Sequence, residues 1–385
     1  MERKRVPLGN YITEYSVRNR SGEDIPVYSV TNSQGFCTEY FDKEVASKDK
    51  TTYKIVPRGY FAYNPSRINV GSVDWQRCEG RVIVSPLYNV FSVSEKMEHQ
   101  YLFYFLKSNV GRQMIKAKAS GSVRDNLKMD MLKEMTIPER TIEEQKKCVA
   151  TLDALKKIIS LWEKELEKLD ELIKARFVEM FGDPYVNPLK WEKLKIKDAV
   201  TIEPQNGLYK PQSDYVTDGS GIPILRIDGF YDGMVTDFAS LKRLKCSETE
   251  RQRYLLLEDD IVINRVNSIE YLGKCAHIKD LLEDTVYESN MMRMHFDPEY
   301  YNPVYICKLL CSQFIYDQIV NHAKKSVNQA SINQKDVLDF NIYQPTLDLQ
   351  NEFANFVHQV DKSKVIDINI ILKGGVYNGN EFFVS

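Results

Sequence analysis

The chain has 385 residues, 43% of them hydrophobic and 28% charged, which is longer than one core usually supports and too apolar for global disorder. Its net charge of −2 divides unevenly, with +6 over residues 1–140, −1 over 141–190, −5 over 191–345 and −2 beyond, so uniform positive charge as a means of holding nucleic acid is excluded, while local basic loops are not. The seven cysteines form no CxxC pair, no run approaches the roughly 18 apolar residues of a membrane span, and the MERKRVPLGNY start lacks a following apolar core; the expectation is a cytoplasmic protein without membrane contact.

From the first residues to about 140, short β-branched runs such as RVIVS alternate with a stretch of helical spacing, YLFYFLKSNVGRQMIKAKA. A capping box, Thr141-Ile-Glu-Glu144, then opens a long helix whose seam Leu152, Leu155, Ile159, Trp162, Leu166, Leu169 and Ile173 follows 3,4 spacing, with Glu and Lys on the other face. Gly182-Asp183-Pro184 ends it. At ~1.5 Å per residue such a helix spans on the order of 60 Å. Residues 185–345 again mix strand runs (DIVIN) with helical ones (YICKLLCS), punctuated by NGLYK, DGSGIP and YDGM turns. A second helix starts at Thr346, with Leu349, Phe353, Phe356 and Val360 on one face.

The two halves repeat. At an offset of 205 residues Leu127 matches Ile332, Ile137 matches Ile342, Ile142 matches Leu347, Gln145 matches Gln350 and Leu152 matches Val357. YLFYFLKS faces YICKLLCS, RGYFAYN faces DDIVINR, and Leu8 matches Ile196. A period of this length marks a domain duplication rather than a solenoid. Each unit reads as α+β with one irregular mixed sheet, followed by a helix. Antiparallel packing of the two helices would relate the domains by approximate twofold symmetry and space them as a ruler would.

A search for chemistry on the chain finds no GxGxxG loop, P-loop or HExxH. NPVY, Asn302 to Tyr305, has the look of an adenine-methyltransferase tetrad but opens a helical run and follows no glycine-rich loop. Cys307 and Cys311 lie one helical turn apart with no neighbouring ligand in sequence to complete a zinc quartet, and the five scattered histidines read as solvated surface. No catalytic and no metal residue is expected. Base-edge readout favours Arg, Lys, Asn and Gln on loops or helix starts, because these pair bidentately with base edges. The candidates are Arg67, Asn69, Ser122, Arg124 and Asn126 in the first half, and Lys210, Arg226, Arg265, Asn267, Lys325, Asn328, Gln329 and Ser331 in the second. Tyr63 and Tyr271 read as packing residues rather than base-stacking groups.

A domain ending in IPERTIEEQKKCVATLDAL, a helix closing with FVEMFGDP, a second domain opening with WEKLKIKDAV and a repeat ending NIYQPTLDLQNEFANFVHQVDK together resemble the specificity (S) subunit of Type I restriction-modification systems, over roughly residues 1–364. The resemblance implies two tandem target recognition domains, 1–140 and 185–345, a spacer helix over 141–184, a second spacer helix over 346–364 and a tail over 365–385. It implies that each domain reads one half of a bipartite site in double-stranded DNA, while partner methyltransferase (M) subunits methylate adenine with S-adenosylmethionine and restriction (R) subunits cleave with ATP and Mg; the chain itself carries no cofactor. One departure is expected. VIDINIILKGGVYNGNEFFVS after Lys364 is strand-like and has no heptad, so the second helix should stop there, leaving the seam from Trp162 to Ile173 uncovered and prone to self-association. The rival readings are a coiled-coil scaffold without DNA specificity, which gives no reason for duplicated domains with differing polar loops, and a standalone nuclease, which lacks a carboxylate and lysine constellation.

Overall fold

The computed structural model describes residues 3–38, 49–77, 80–119, 126–231, 233–235, 237–327 and 329–376, with 365–376 as backbone only. The chain divides into two compact units, one of Met1–Glu165 with Asp367–Ser385, the other of Leu166–Ile366.

In the first unit an antiparallel sheet runs in the order Ile12–Tyr15, Asn89–Val93, Phe61–Tyr63 and Val73–Trp75. Separate ladders pair Lys54–Pro57 with Arg81–Val84 and Arg5–Pro7 with Thr136–Pro138. Helices α1 (His99–Lys107), α2 (Asn109–Ala119) and α3 (Met129–Lys133) cover it. The expected single helical stretch breaks at Ser108. Its hydroxyl donates to the Phe105 carbonyl at 2.7 Å and accepts from the Gly111 amide at 3.1 Å, so the residue ends one helix and caps the next. Gly111 is required there, because a Cβ would stand 2.1 Å from the Phe105 carbonyl oxygen. The core takes Phe61, Tyr63, Phe91, Tyr101 and Phe105, all fully buried, together with Cys148 and Leu152 from α4 (Ile142–Phe181).

The second unit is built on a mixed six-stranded sheet in the order Val200–Asn206, Met291–Phe296, Ile261–Asn264, Cys275–His277, Gly233–Val235 and Phe230–Tyr231, in which only the Cys275–His277 and Gly233–Val235 pairing is parallel. Its helices are α5 (Glu248–Tyr254), α6 (Pro303–Leu310), α7 (Gln313–His322), α8 (Gln334–Leu338) and α9 (Leu347–Val376) as far as Ile366. The end of α4 enters this core through Ile173, Phe177, Met180 and Phe181. Phe177 and Phe181 pack with Tyr305 of α6 and Phe353 of α9 at ring separations of 4.7 to 5.7 Å, each such contact contributing about 0.5–1.5 kcal/mol beyond burial. Beyond Ile173, the last residue of the 3,4 seam, the apolar stripe continues at four-residue steps through Phe177 and Phe181.

The duplication holds in three dimensions. Pairing of Arg5–Pro7 with Thr136–Pro138 recurs as Glu192–Lys195 with Asn341–Gln344. The Leu8 amide donates to Met135 as Ile196 donates to Phe340. Gln145 and Gln350, at the starts of α4 and α9, are both buried. Gln145 accepts the Glu98 amide at 2.8 Å and donates to the carbonyls of Lys96 and Arg140, each at 3.0 Å. Gln350 accepts the Asn302 amide at 2.9 Å and donates to those of Tyr300 at 3.0 Å and Pro345 at 2.8 Å. Glu98 and Asn302 are the N-caps of α1 and α6. The capping box of α4 is present as read, Thr141 N to Glu144 Oε2 at 2.9 Å and Glu144 N to Thr141 Oγ1 at 3.3 Å. NPVY is a helix start. Asn302 Oδ1 accepts the Val304 amide at 2.9 Å, and Pro303 occupies the first turn, where a missing amide hydrogen costs nothing.

Two expectations are corrected. α9 does not stop near Lys364 but continues for twelve residues to Val376, so the segment taken as a strand-like tail begins as helix. Val365 to Leu372 is rich in β-branched residues, but these lower helix propensity only slightly, no proline intervenes, and extending an existing helix is far easier than nucleating one. The seam is also not bare. Leu152 and Ile173 are buried, and Leu155, Ile159, Trp162, Leu166 and Leu169 are partly buried. Within the second unit α4 and α9 run antiparallel, since Arg176 Nη2 meets Glu352 Oε1 at 3.1 Å while Asp170, nearer the start of α4, bonds Lys364, farther along α9.

Removing a glutamine staple should be costly. Gln145→Ala or Gln350→Ala leaves a buried amide and two carbonyls unpaired, with an expected loss of about 2–3 kcal/mol in chemical denaturation of the full chain; a loss near zero would deny the staple its role. Amide exchange protection is expected to continue beyond Lys364, whereas rapid exchange from Val365 onward would restore the shorter helix.

Candidate nucleic-acid interface

In the second unit a three-stranded ribbon has Ala330–Ser331 as its central strand, Ser331 lying between Val266 and Lys324 and Ala330 between Asn267 and Lys325. The Ser326 amide and hydroxyl both donate to the Gln329 carbonyl, at 2.7 and 2.9 Å, closing the turn whose tip carries Val327, 98% exposed. Lys324, Lys325, Ser326 and Gln329 are exposed around it. Arg265 is anchored beneath by an Nη1 bond to the Ser289 carbonyl at 3.1 Å, and Asn267 Oδ1 accepts the Ser268 amide at 2.8 Å. The fold therefore brings Arg265, Asn267, Lys325, Gln329 and Ser331 together from segments some sixty residues apart; Asn328 lies outside the described residues.

The first unit repeats the arrangement at its root. Arg67 and Asn69 stand exposed on the loop between strands Phe61–Tyr63 and Val73–Trp75. Asn64 organises this loop by accepting from the Ser66 amide and hydroxyl at 3.1 and 2.9 Å, and Asn69 Oδ1 accepts the Val70 amide at 2.9 Å. The Leu127 amide donates to the Pro65 carbonyl at 3.1 Å, joining the segment of half-buried Asn126 to the loop of Arg67. The counterpart is the Ile332 amide on the Arg265 carbonyl at 3.0 Å. Ser122 and Arg124 lie outside the described residues.

Lys210 and Arg226 are placed elsewhere, among acids. Lys210 Nζ is 2.9 Å from Glu250 Oε1 and 3.6 Å from Asp214 Oδ2. Hydrogen bonds from Lys210 and then from the Ser247 amide and hydroxyl hold the Glu250 carboxyl down at about 2. Arg226 Nε lies 3.6 Å from Asp228 and 3.8 Å from Glu288, whose carboxyl is pushed up by burial. Asp214 and Asp228 are sequence neighbours of the two cations, whereas Glu250, on α5, and Glu288 are brought to them only by the fold.

Lys274 and Tyr231 escaped the sequence reading. Lys274 Nζ lies 3.4 Å from the ring centroid of Tyr231 and 5.5 Å from that of Tyr271, and both tyrosines are about half exposed. Tyr63, by contrast, is fully buried, with its hydroxyl on the Leu127 carbonyl. The histidines are not simply solvated surface. His295 Nδ1 lies 3.1 Å from Asp260, a fully buried carboxylate that also takes Arg293 at 3.0 Å, and His277 Nε2 lies 2.8 Å from Asp259. The Arg293 and Asp260 charges neutralise one another within the sheet, where an unpaired carboxylate would be costly. Among the described residues no group of His, Cys, Asp or Glu is arranged to hold a metal ion, and no helix is long and apolar enough to cross a membrane.

Two α+β units of repeated topology, each followed by a long helix and each gathering polar side chains at one loop junction, define a duplicated modular protein. The chain belongs to the family of the type I restriction modification DNA specificity domain, whose model matches residues 8–171 and 188–371. It is 26% identical over 273 residues to the EcoKI specificity subunit of Escherichia coli K12, covering 68% of this chain and 58% of that one, so the match spans little more than half of that relative. It is 23% identical over 366 residues to the StySPI specificity subunit of Salmonella potsdam, covering 91% and 78%. The fold is that of a chain solved in work on complex assembly and conformational transition of the type I R-M system (TM-score 0.60, 15% identity, 98% and 95% covered) and resembles the S subunit from M. genitalium (0.50, 13%, 98% and 94%).

The Lys210 and Glu250 pair makes a pH prediction. A carboxyl whose pKa is depressed on folding contributes stability above its ordinary value of about 4.5 and loses it as the pH falls through about 2. Wild type should therefore lose stability over that window more steeply than Glu250→Gln; parallel curves would show that the pair contributes nothing.

Proposed function

We propose that this chain is the DNA-reading subunit of a type I restriction-modification complex, each unit contacting one half of a bipartite target in duplex DNA. The observation that carries the reading is the repeated junction, Leu127 on Pro65 and Ile332 on Arg265, which assembles a polar loop and a second polar segment at equivalent positions of both units. The side chains there are of the kinds that pair with base edges or phosphates. Arg67, Arg265, Asn267 and Gln329 are assigned to base edges, and Lys324 and Lys325 to phosphates. Catalysis is assigned to partners: M subunits using S-adenosylmethionine, and R subunits using ATP and Mg, in the cytoplasm. A scaffold role alone would leave unexplained why the loops at the two junctions differ in sequence.

Binding of the full chain to duplex DNA, with and without a methyltransferase subunit, tests the proposal. Lys324→Ala and Lys325→Ala should weaken binding to all sequences alike, each lowering the slope of log K against log salt by about 0.9. Asn267→Ala or Gln329→Ala should instead relax one half-site, by about 1–3 kcal/mol for a contacted base. Exchanging residues 185–345 for those of a relative should change one half of the methylated sequence and leave the other intact. Retention of both halves, or a change in both, would defeat the modular assignment.

A further inference from the structure

Three cysteines far apart in sequence meet in the second unit. Cys307 and Cys311 stand at one turn's separation on and just after α6, and Cys275 opens the strand Cys275–His277. Cys311 Sγ lies 3.9 Å from the Cys275 carbonyl oxygen, Cys307 Sγ lies 3.5 Å from that of Gly233, and Cys275 Sγ lies 3.1 Å from that of Gly273. A Cβ built on Gly233 would stand 3.0 Å from Cys307 Sγ and 3.9 Å from Cys311 Sγ, with Lys308 Nζ at 3.7 Å, so this glycine roofs the cluster. Cys275 and Cys307 are buried, whereas Cys311 is an exposed residue whose sulfur turns inward.

The environment differentiates the three. Hydrogen bonds from the Cys275 and Cys307 thiols, with the Lys308 charge nearby, pull the Cys311 thiol well below its ordinary range. Burial first, then the bond to Cys311, pushes Cys275 up. A low-pKa sulfur on a surface residue, beside a protonated thiol, is the arrangement of an oxidation-sensitive cysteine and its resolving partner.

We propose that Cys311 is a peroxide-reactive site that Cys275 resolves into a disulfide joining the end of α6 to the neighbouring strand. The Cys311 sulfur attacks one oxygen of hydrogen peroxide, the O–O bond breaks, and the departing hydroxide takes a proton to become water, leaving a sulfenic acid. The Cys275 thiol then gives up its proton and attacks that sulfur, and the S–O bond breaks with release of a second water. Two thiols are oxidised by two electrons and one peroxide is reduced to two waters. Cys307 is the poorer partner for Cys311, because residues four apart on a helix hold their Cβ atoms about 5–6 Å apart, beyond the roughly 3.5–4.5 Å a disulfide spans. The bond would fasten α6 at the end opposite Asn302, whose amide Gln350 already holds.

Trypsin separates the three cysteines into residues 275–279, 294–308 and 309–324, so the bond can be mapped without any substitution. The full chain is treated with hydrogen peroxide, blocked with N-ethylmaleimide and digested without reductant. The expected product is 275–279 joined to 309–324 as the main disulfide, and in Cys275→Ser a Cys311 sulfenic acid trapped by dimedone. A main cross-link between 294–308 and 309–324, or Cys311 oxidising no faster than Cys246, would overturn the proposal.

Discussion

Each unit depends on a buried glutamine amide at the first turn of the helix that follows it. A helix start presents amides without intrahelical partners, and a strand end presents carbonyls that have left their ladder; a single primary amide can serve both kinds of group at once. Gln145 and Gln350 do this identically. Each accepts from the N-cap amide of a domain helix and donates to two carbonyls, one just before that helix and one just before its own. Asparagine has one methylene fewer and glutamate no donor, so neither reproduces the set. The direction in which α4 and α9 leave their units is thereby set by hydrogen bonds as well as by hydrophobic contact.

Around that point the two units share a framework and differ in what they mount on it. The pairings beside Leu8 and Ile196, the buried strands Phe61–Tyr63 and Ile261–Asn264, and the helices α1 and α6 repeat. The junction loops do not: one holds Arg67 and Asn69, the other Arg265 and Asn267. A framework whose core is self-sufficient tolerates change in its exposed loops, because substitutions there disturb no packing. This is the physical basis on which one fold can carry two different sets of exposed loops in one chain.

The acidic balance of the second unit is also resolved by local structure. Arg243 is held by Glu283, Arg251 by Asp284, Lys210 by Glu250 and Arg293 by Asp260, so much of the unit's basic charge is internally matched. Lys324 and Lys325, by contrast, stand exposed side by side on the ribbon strand.

Periodicity along the sequence was enough to determine the duplication, the capped α4, its apolar stripe and the helix beginning at Thr346, because spacing, caps and Gly-Asp-Pro punctuation are local. The matched pair Gln145 and Gln350 was also legible, though its purpose was not, since its partners lie as far as fifty residues away. Tertiary structure alone decided that Lys210 and Arg226 stand among acids while Arg265, Asn267 and Gln329 share a ribbon, that His295 sits on a buried carboxylate, that Cys275 joins Cys307 and Cys311, and that α9 continues to Val376. The reason is common to all of these: which polar groups meet depends on how strands cross and loops close, whereas a sequence pattern records only which face of its own element a residue occupies.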